Sequence, residues 1–245
     1  VTNSKVYKGR KYGKTWKKIG TNLPLEPVNV IREDPENEKL LFIGTDQGVY
    51  FSLDKGISFQ NMDNALPHVA VHDMVIQKEK HDLVIGTHGR SIYIANINEL
   101  EKINDSILNS TFYVYQISKR KYSKRWGKKE DHWTEIKDPS QIISFYSKEK
   151  KEIKFSVKTW DNLEIYSESI NGVKGINYFD YHLLVEESKV ENLSKSQWNM
   201  MDSATPEFLP EKADNGKYYL LPGLYTLEFT IDGKTISKTF EIEKK

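Results

Sequence analysis

Val6-Tyr7, Gly13-Lys14-Thr15-Trp16 and Leu23-Pro24 return as Val49-Tyr50, Gly56-Ile57-Ser58-Phe59 and Leu66-Pro67, every landmark displaced by 43 residues. Leu41-Phe42-Ile43-Gly44-Thr45-Asp46 is echoed by Leu83-Val84-Ile85-Gly86-Thr87-His88 at an offset of 42, and Val49-Tyr50 by Ile92-Tyr93. A repeat of this length means that each unit is one supersecondary element needing neighbours to cover it. Within each unit the apolar residues form short β-branched or aromatic runs (Val28 to Ile31, Leu40 to Ile43, Val69 to Ile76, Leu83 to Ile85, Ile92 to Ile94), parted by Gly, Asn and Asp. That is strand chemistry, and strands at this period predict propeller blades. Two units cannot close a propeller, which needs about four to eight blades, so the chain reads as the tail of a longer protein.

Composition narrows the chemistry. Lys and Arg number 36 against 35 Asp and Glu, so a formal net charge of +1 gives no global field for nucleic acid or an anionic membrane. The apolar runs fall far short of the roughly 20 residues that span a bilayer, so no membrane span is expected. With no cysteine in the chain, disulfides, thiolate metal sites and cysteine nucleophiles are excluded together. The chain opens on Val-Thr-Asn-Ser-Lys without a signal peptide's apolar stretch. A cytoplasmic protein or a processed start would both explain that, and the truncated repeat favours processing. The expected location is exported: periplasmic, cell-surface or secreted.

The segment Ser52-Leu-Asp54-Lys-Gly56-Ile-Ser58-Phe59 fits the Asp-box pattern Ser-x-Asp-x-Gly-x-Ser/Thr-Trp/Phe at each defined position. Its physics is local: the aspartate accepts from its own turn's N–H groups, the glycine takes a backbone geometry other residues resist, and the aromatic plugs the space between strands. The earlier copy keeps Gly13, Thr15 and the Trp16 plug but has Lys11 where the carboxylate belongs. Asp54 is therefore read as a turn staple and not a ligand contact.

With these residues in hand, residues 1 to about 100 resemble the end of an Asp-box propeller of the sortilin or sialidase-like type found in large secreted bacterial proteins, often labelled glycosyl hydrolase. Asn22-Leu-Pro24, Pro27-Val-Asn-Val30, Glu33-Asp-Pro35, Val71-His-Asp73 and Ile85-Gly-Thr-His-Gly-Arg-Ser-Ile-Tyr93 carry the match. The resemblance implies a small β-sandwich after the last blade, matched by Ile142 to Tyr146, Lys154 to Val157, Gly175-Ile-Asn177 with Phe179-Asp180, and Pro222-Gly-Leu-Tyr225 with Gly233.

Periodicity supports the same reading. Ile153, Phe155 and Val157 alternate with polar neighbours, as do Tyr225, Leu227, Phe229 and Ile231, the period of half-buried antiparallel strands. Asp232-Gly233 predicts a hairpin turn into Ile236 to Ile242. The expected architecture is all-β: terminal propeller blades over 1–95, a linker over 96–110 with helical spacing from Ile97 to Ile103, and an immunoglobulin-like sandwich over 111–245. A long surface insertion is expected near 186–216.

Sugar hydrolysis would need two carboxylates facing one cleft. Asp46, Asp73 and Asp82 are available, but no motif pairs them, and only Arg32 and Arg90 could serve a sialidase's arginine cluster. His72-Asp73, His81-Asp82 and His88 lack a spacing that brings ligands to one ion, so they are read as hydrogen-bonding residues; no metal or cofactor is assigned. Lys119 to Lys129 carries seven basic residues in 11 positions with Tyr122 and Trp126 among them. Lys119, Arg120, Lys121, Lys124, Arg125 and Trp126, with His88 and Arg90 of the blades, are the candidate partner-binding residues. Their partner is read as the rest of the propeller or a protein or glycan ligand; nucleic acid is the weaker reading. Ser106 and Ser203, in Asp105-Ser106-Ile107 and Asp202-Ser203-Ala204, fit a bacterial O-glycosylation acceptor pattern. The favoured function is non-catalytic recognition or scaffolding at the cell envelope. The alternative is part of a glycoside hydrolase whose cleft lies in upstream blades.

Overall fold

The computed structural model describes residues 5–62, 66, 68–129, 133, 135–136, 138–199 and 208–244. The chain is all-β in class, and it divides into two compact units, Val1–Asn104 and Asp105–Lys245.

The first unit is a run of antiparallel meanders. A hairpin of β1 (Val6–Arg10) and β2 (Thr15–Ile19) leads into a four-stranded sheet of β3 (Val28–Glu33), β4 (Leu41–Thr45), β5 (Val49–Ser52) and β6 (Gln60–Asn61). A three-stranded sheet of β7 (Val71–Gln77), β8 (Asp82–Thr87) and β9 (Ile92–Asn96) follows, and one helical turn, α1 (Asn98–Glu101), ends the unit. The sequence repeat is a structural one down to its irregularities. The β3–β4 ladder breaks between Val28 and Val30, opposite Thr45 and Gly44; the β7–β8 ladder breaks between Val71 and Asp73, opposite Thr87 and Gly86. Each first strand thus carries a β-bulge at the same step, with Asn29 and His72 as the extra residues.

Every residue of β4 is buried, as its unbroken apolar run requires of a strand covered on both faces. On one face Leu41 and Ile43 pack with Phe59, Val6 and Leu23. The other face meets the next sheet. A Cβ on Gly44 would lie 2.6 Å from a Val71 methyl, Asn29 Nδ2 donates to the Val71 carbonyl at 3.2 Å, and Arg32 Nε to the Met74 carbonyl at 2.6 Å. Glycine at 44 is the sequence's concession to that close approach.

In the second unit α2 (Asp105–Asn109) precedes β10 (Phe112–Val114), β11 (Arg120–Lys121), β12 (Gln141–Ser147), β13 (Lys151–Thr159), β14 (Glu164–Gly172) and β15 (Gly175–Tyr181). Then come β16 (Leu184–Val185), a 3₁₀ turn at Glu187–Lys189, α3 (Val190–Asn199), β17 (Tyr218–Tyr219), β18 (Gly223–Ile231) and β19 (Lys234–Glu243). Strands pair as β10-β12-β15 in one sheet and β11-β19-β18-β13-β14 in the other. Phe112, Ile143 and Phe145 of the first and Phe155, Leu227, Phe229 and Phe240 of the second share one core. This is an immunoglobulin-like sandwich without a disulfide. Its corner is held by Tyr225: buried at the start of β18, the phenol donates to the Leu221 carbonyl at 2.7 Å and accepts from the Leu221 N–H at 3.1 Å. That back-bond from a strand-start tyrosine is a hallmark of such sandwiches. The β18–β19 turn forms at Asp232 and Gly233, both at positive φ, as Asp-Gly hairpins require.

The stretch read as a surface insertion is more structured than its composition suggested. Leu193 of α3 is fully buried, and Asn192 Nδ2 donates to the Glu164 carbonyl at 2.9 Å, fastening the helix to β14.

Candidate functional site

The segment Ser52–Phe59 forms a self-bonded turn. Asp54 Oδ1 accepts from the Ser58 N–H at 2.9 Å and from Ser52 Oγ at 2.8 Å, while Oδ2 accepts from Ser58 Oγ at 2.6 Å. Ser52 Oγ in turn accepts from the Gly56 N–H at 2.8 Å. Partial burial pushes the Asp54 carboxyl up, but the Ser58 and Ser52 donors outweigh it and hold its pKa below the ordinary aspartate value. Gly56 sits at φ +86°, where a Cβ would meet Ile19 Cδ1 at 2.7 Å. Phe59 is 5% exposed and fills the space beside Leu41 and Ile43.

The degenerate copy departs from expectation. Gly13 does take a positive φ, but Trp16 is 66% exposed and lies over Gly9 of its own hairpin. A plug needs a neighbouring sheet to seal against, and β1–β2 has none on that side among the described residues.

The carboxylates weighed for hydrolysis are each drawn into a local bond. Asp46 accepts from Asn29 Nδ2 at 2.9 Å, Asp82 from Asn96 Nδ2 at 3.0 Å, and Asp73 pairs with Arg32. His72 and His88, both exposed, bring their rings to 5.2 Å between centroids, the second repeat's counterpart of the Asn29–Asp46 contact. Arg90 is exposed in the turn between Thr87 and Ser91. His81 lies before β8 and His88 after it, so His81 stands apart from the His72–His88 pair.

The basic stretch folds back onto the sandwich. Arg120 and Lys121 pair in parallel with Ile242 and Glu243, and Lys119 bridges Glu241 at 2.6 Å and Glu243 at 3.3 Å. Lys124 and Arg125 are exposed, and the Arg125 N–H donates to Ser123 Oγ at 3.2 Å. Tyr122 and Trp126 meet edge to face at 5.2 Å, and Tyr122 and Phe208 at 5.1 Å. Together with Lys124, Lys128 and Glu211 these rings line a pocket of about 150 Å³. Lys124 Nζ stands 5.9 Å from the Phe208 ring centre, and Lys128 reaches Glu211 at 3.6 Å. Burial, with the charge of Glu211, pushes the Tyr122 hydroxyl up. Burial likewise holds Tyr219, which donates to Asp138 at 2.9 Å, at about 12. Both phenols are therefore neutral donors at physiological pH. The volume is below the roughly 300–1,000 Å³ of small-molecule clefts, and suits one ring or side group.

No family model matches the chain, and no curated protein does. Among solved structures it is similar to the extracellular domain of BT4673 from B. thetaiotaomicron, at 10% identity and a TM-score of 0.26 over 97% of this chain and 29% of that one. It is similar also to Drosophila Semaphorin 2a, at 11% identity and TM-score 0.23 over 94% and 37%, and to the AfRom2 CNH domain, at 11% and 0.22 over 86% and 67%. The chain thus spans about a third of the length of the first two. Scores this low carry neither fold nor function across. No helix among the described residues is long and apolar enough to cross a membrane.

Ser106 is exposed within α2, and Ser203 lies outside the described residues.

One cluster escaped the sequence reading. Asp34 and Glu101 are both buried, with Asp34 Oδ2 and Glu101 Oε1 lacking any donor, and His81 Nδ1 pairs with Glu101 Oε2. Burial raises the Glu101 carboxyl; the hydrogen bond with His81 opposes the shift, while the charge of Asp34 adds to it. Asp34 Oδ1 also accepts from the Glu36 and Asn37 N–H groups at 2.9 and 2.8 Å, so the cluster is built into the turn after β3. It fastens α1 to that turn.

Proposed function

We propose that the chain is a non-catalytic recognition module of an exported, cell-envelope protein of the Asp-box propeller type, taking a glycan end group that carries an anionic substituent. The observation that carries this reading is the sandwich pocket, which Tyr122, Trp126 and Phe208 line together with Lys124, whose ammonium stands over the Phe208 ring. Aromatic faces suit the apolar face of a sugar ring, and one ammonium group beside them selects for negative charge. The local bonding of Asp46, Asp73 and Asp82 supports a binding role over hydrolysis.

The test is titration of the chain with uronic-acid oligosaccharides and their neutral counterparts, followed by tryptophan fluorescence. Saturable binding of the acidic series, abolished by Trp126→Ala and made less salt-sensitive by Lys124→Ala, is expected. Equal affinity for neutral sugars, or none for either at millimolar concentration, overturns the reading.

A further inference from the structure

The two meanders of the first unit can be laid on one another strand by strand, and the register then shows which surfaces the repeat is built to cover. Val49 lies opposite Gly44 as Ile92 lies opposite Gly86; Phe42 corresponds to Val84, Phe51 to Ile94 and Arg32 to Val75. In the first sheet this face is covered. Phe42 is fully buried, Val49 is 1% exposed, and Val71 of the following sheet crowds Gly44. In the second sheet it is open. Ile92 is 67% exposed, Ile94 and Val75 are exposed with it, and a Cβ on Gly86 would meet only the Asp73 carbonyl of its own sheet, at 3.5 Å.

The opposite face shows the complementary deficit. Met74, which the first sheet covers, is 1% exposed, whereas its counterpart Ile31 is 39% exposed. Trp16 stands open where Phe59 is sealed. Each sheet of this repeat therefore offers one apolar face to the sheet before it and another to the sheet after it.

We propose that the face formed by Val75, Val84, Ile92 and Ile94 is the seat of a further antiparallel sheet of the same repeat, borne on polypeptide outside these 245 residues. It seats a β-branched residue over Gly86 as Val71 sits over Gly44. A second copy of this chain fits poorly there. Its leading hairpin corresponds to β5 and β6, the outer pair of a sheet, and would leave Gly86 and β7 bare. Contiguous apolar surface of this kind marks an interaction site. The inference rests on the repeat alone and stands or falls independently of the sandwich pocket.

The experiment places the photoreactive residue benzoylphenylalanine at Ile94 in the protein as its cell of origin makes it, and maps the cross-links by mass spectrometry. The expected adduct joins Ile94 to a peptide bearing the repeat's landmarks, a β-branched run ending in Gly-Thr and followed by an aliphatic-Tyr pair, that does not occur among these 245 residues. An adduct within residues 1–245, on the same chain or a second copy, overturns the proposal, as does one to a polypeptide without the repeat, or no adduct. Gly86→Val supplies the second arm. The position is open in the chain by itself, so the 245-residue protein keeps its fold while the Ile94 cross-link falls severalfold; an undiminished yield overturns the seating over Gly86.

Discussion

Asn37 donates its side-chain amide to the backbone carbonyl of Glu101, 64 residues further along the chain, at 2.9 Å, and the same amide reaches the Ile103 carbonyl at 3.2 Å. The turn after β3 is thereby clamped to the helical turn that closes the unit. The clamp lies beside the buried acids Asp34 and Glu101.

Burial raises the Glu101 carboxyl above its ordinary 4.5. An acid whose folded pKa is raised holds its proton more tightly in the native state, so its contribution is fully present below the unfolded value and is lost as pH rises through the folded one. Urea midpoints of the first unit should therefore fall from pH 4.5 upward, and Glu101→Gln should flatten that slope. A midpoint of the native protein that rises over the same interval as steeply as the variant's would contradict the raised Glu101 carboxyl.

Asp54 carries the opposite sign. Its folded pKa lies below 3.8, so its stabilisation is present above that value and is lost as pH falls through the folded pKa. Asp54→Ala removes the acceptor of three hydrogen bonds and should cost about 1–3 kcal/mol at pH 7, with the difference from the native protein narrowing in acid. Chemical denaturation at pH 7 and pH 3 checks both.

Much of this was legible beforehand, and the reason is that turns and alternation are local. Ser52 to Phe59 supplies its own donors and acceptors, and Asp232-Gly233 its own dihedral angles, so neither needs a neighbour to be recognised. Trp16 was misread because a plug is defined by the surface it seals against, which no residue of the motif encodes. The Asp34–Glu101 cluster joins residues 67 positions apart, each unremarked in its own surroundings, and nothing in either stretch announced the other acid. The α3 helix was hidden by its composition, since it buries Leu193 through a face otherwise of Ser and Gln. The pocket escaped because its rings come from Tyr122, Trp126, Phe208 and Tyr219, brought together only by the sandwich.

Two glycines separate backbone strain from crowding. Gly233 has a positive φ and nothing within 4 Å of an added Cβ, whereas Gly56 has a similar φ and Ile19 at 2.7 Å. Gly233→Ala should cost about 1 kcal/mol from backbone conformation alone. Gly56→Ala should exceed it by about 1–3 kcal/mol for the overpacking. Paired thermal melts of the two variants measure the difference.

Tyr225→Phe keeps the ring and removes the hydroxyl that satisfies both the N–H and the carbonyl of Leu221. Leaving these buried groups unpaired should cost about 1–3 kcal/mol, read as a lower denaturant midpoint with an unchanged m-value. An unchanged midpoint would mean that the corner is replaceable by other contacts.

The parallel pairing of β11 with β19 has a mechanical meaning. Arg120 and Lys121 lie in the same direction as Ile242 and Glu243, the Tyr122 N–H donates to the Glu243 carbonyl at 2.9 Å, and Lys119 adds its two ion pairs. Tension that draws the chain before Lys119 away from the chain after Glu243 pulls these strands lengthwise past one another, so the bonds of the patch share the load and do not peel apart in turn. A sandwich stitched in this way is suited to bearing tension applied along these two strands.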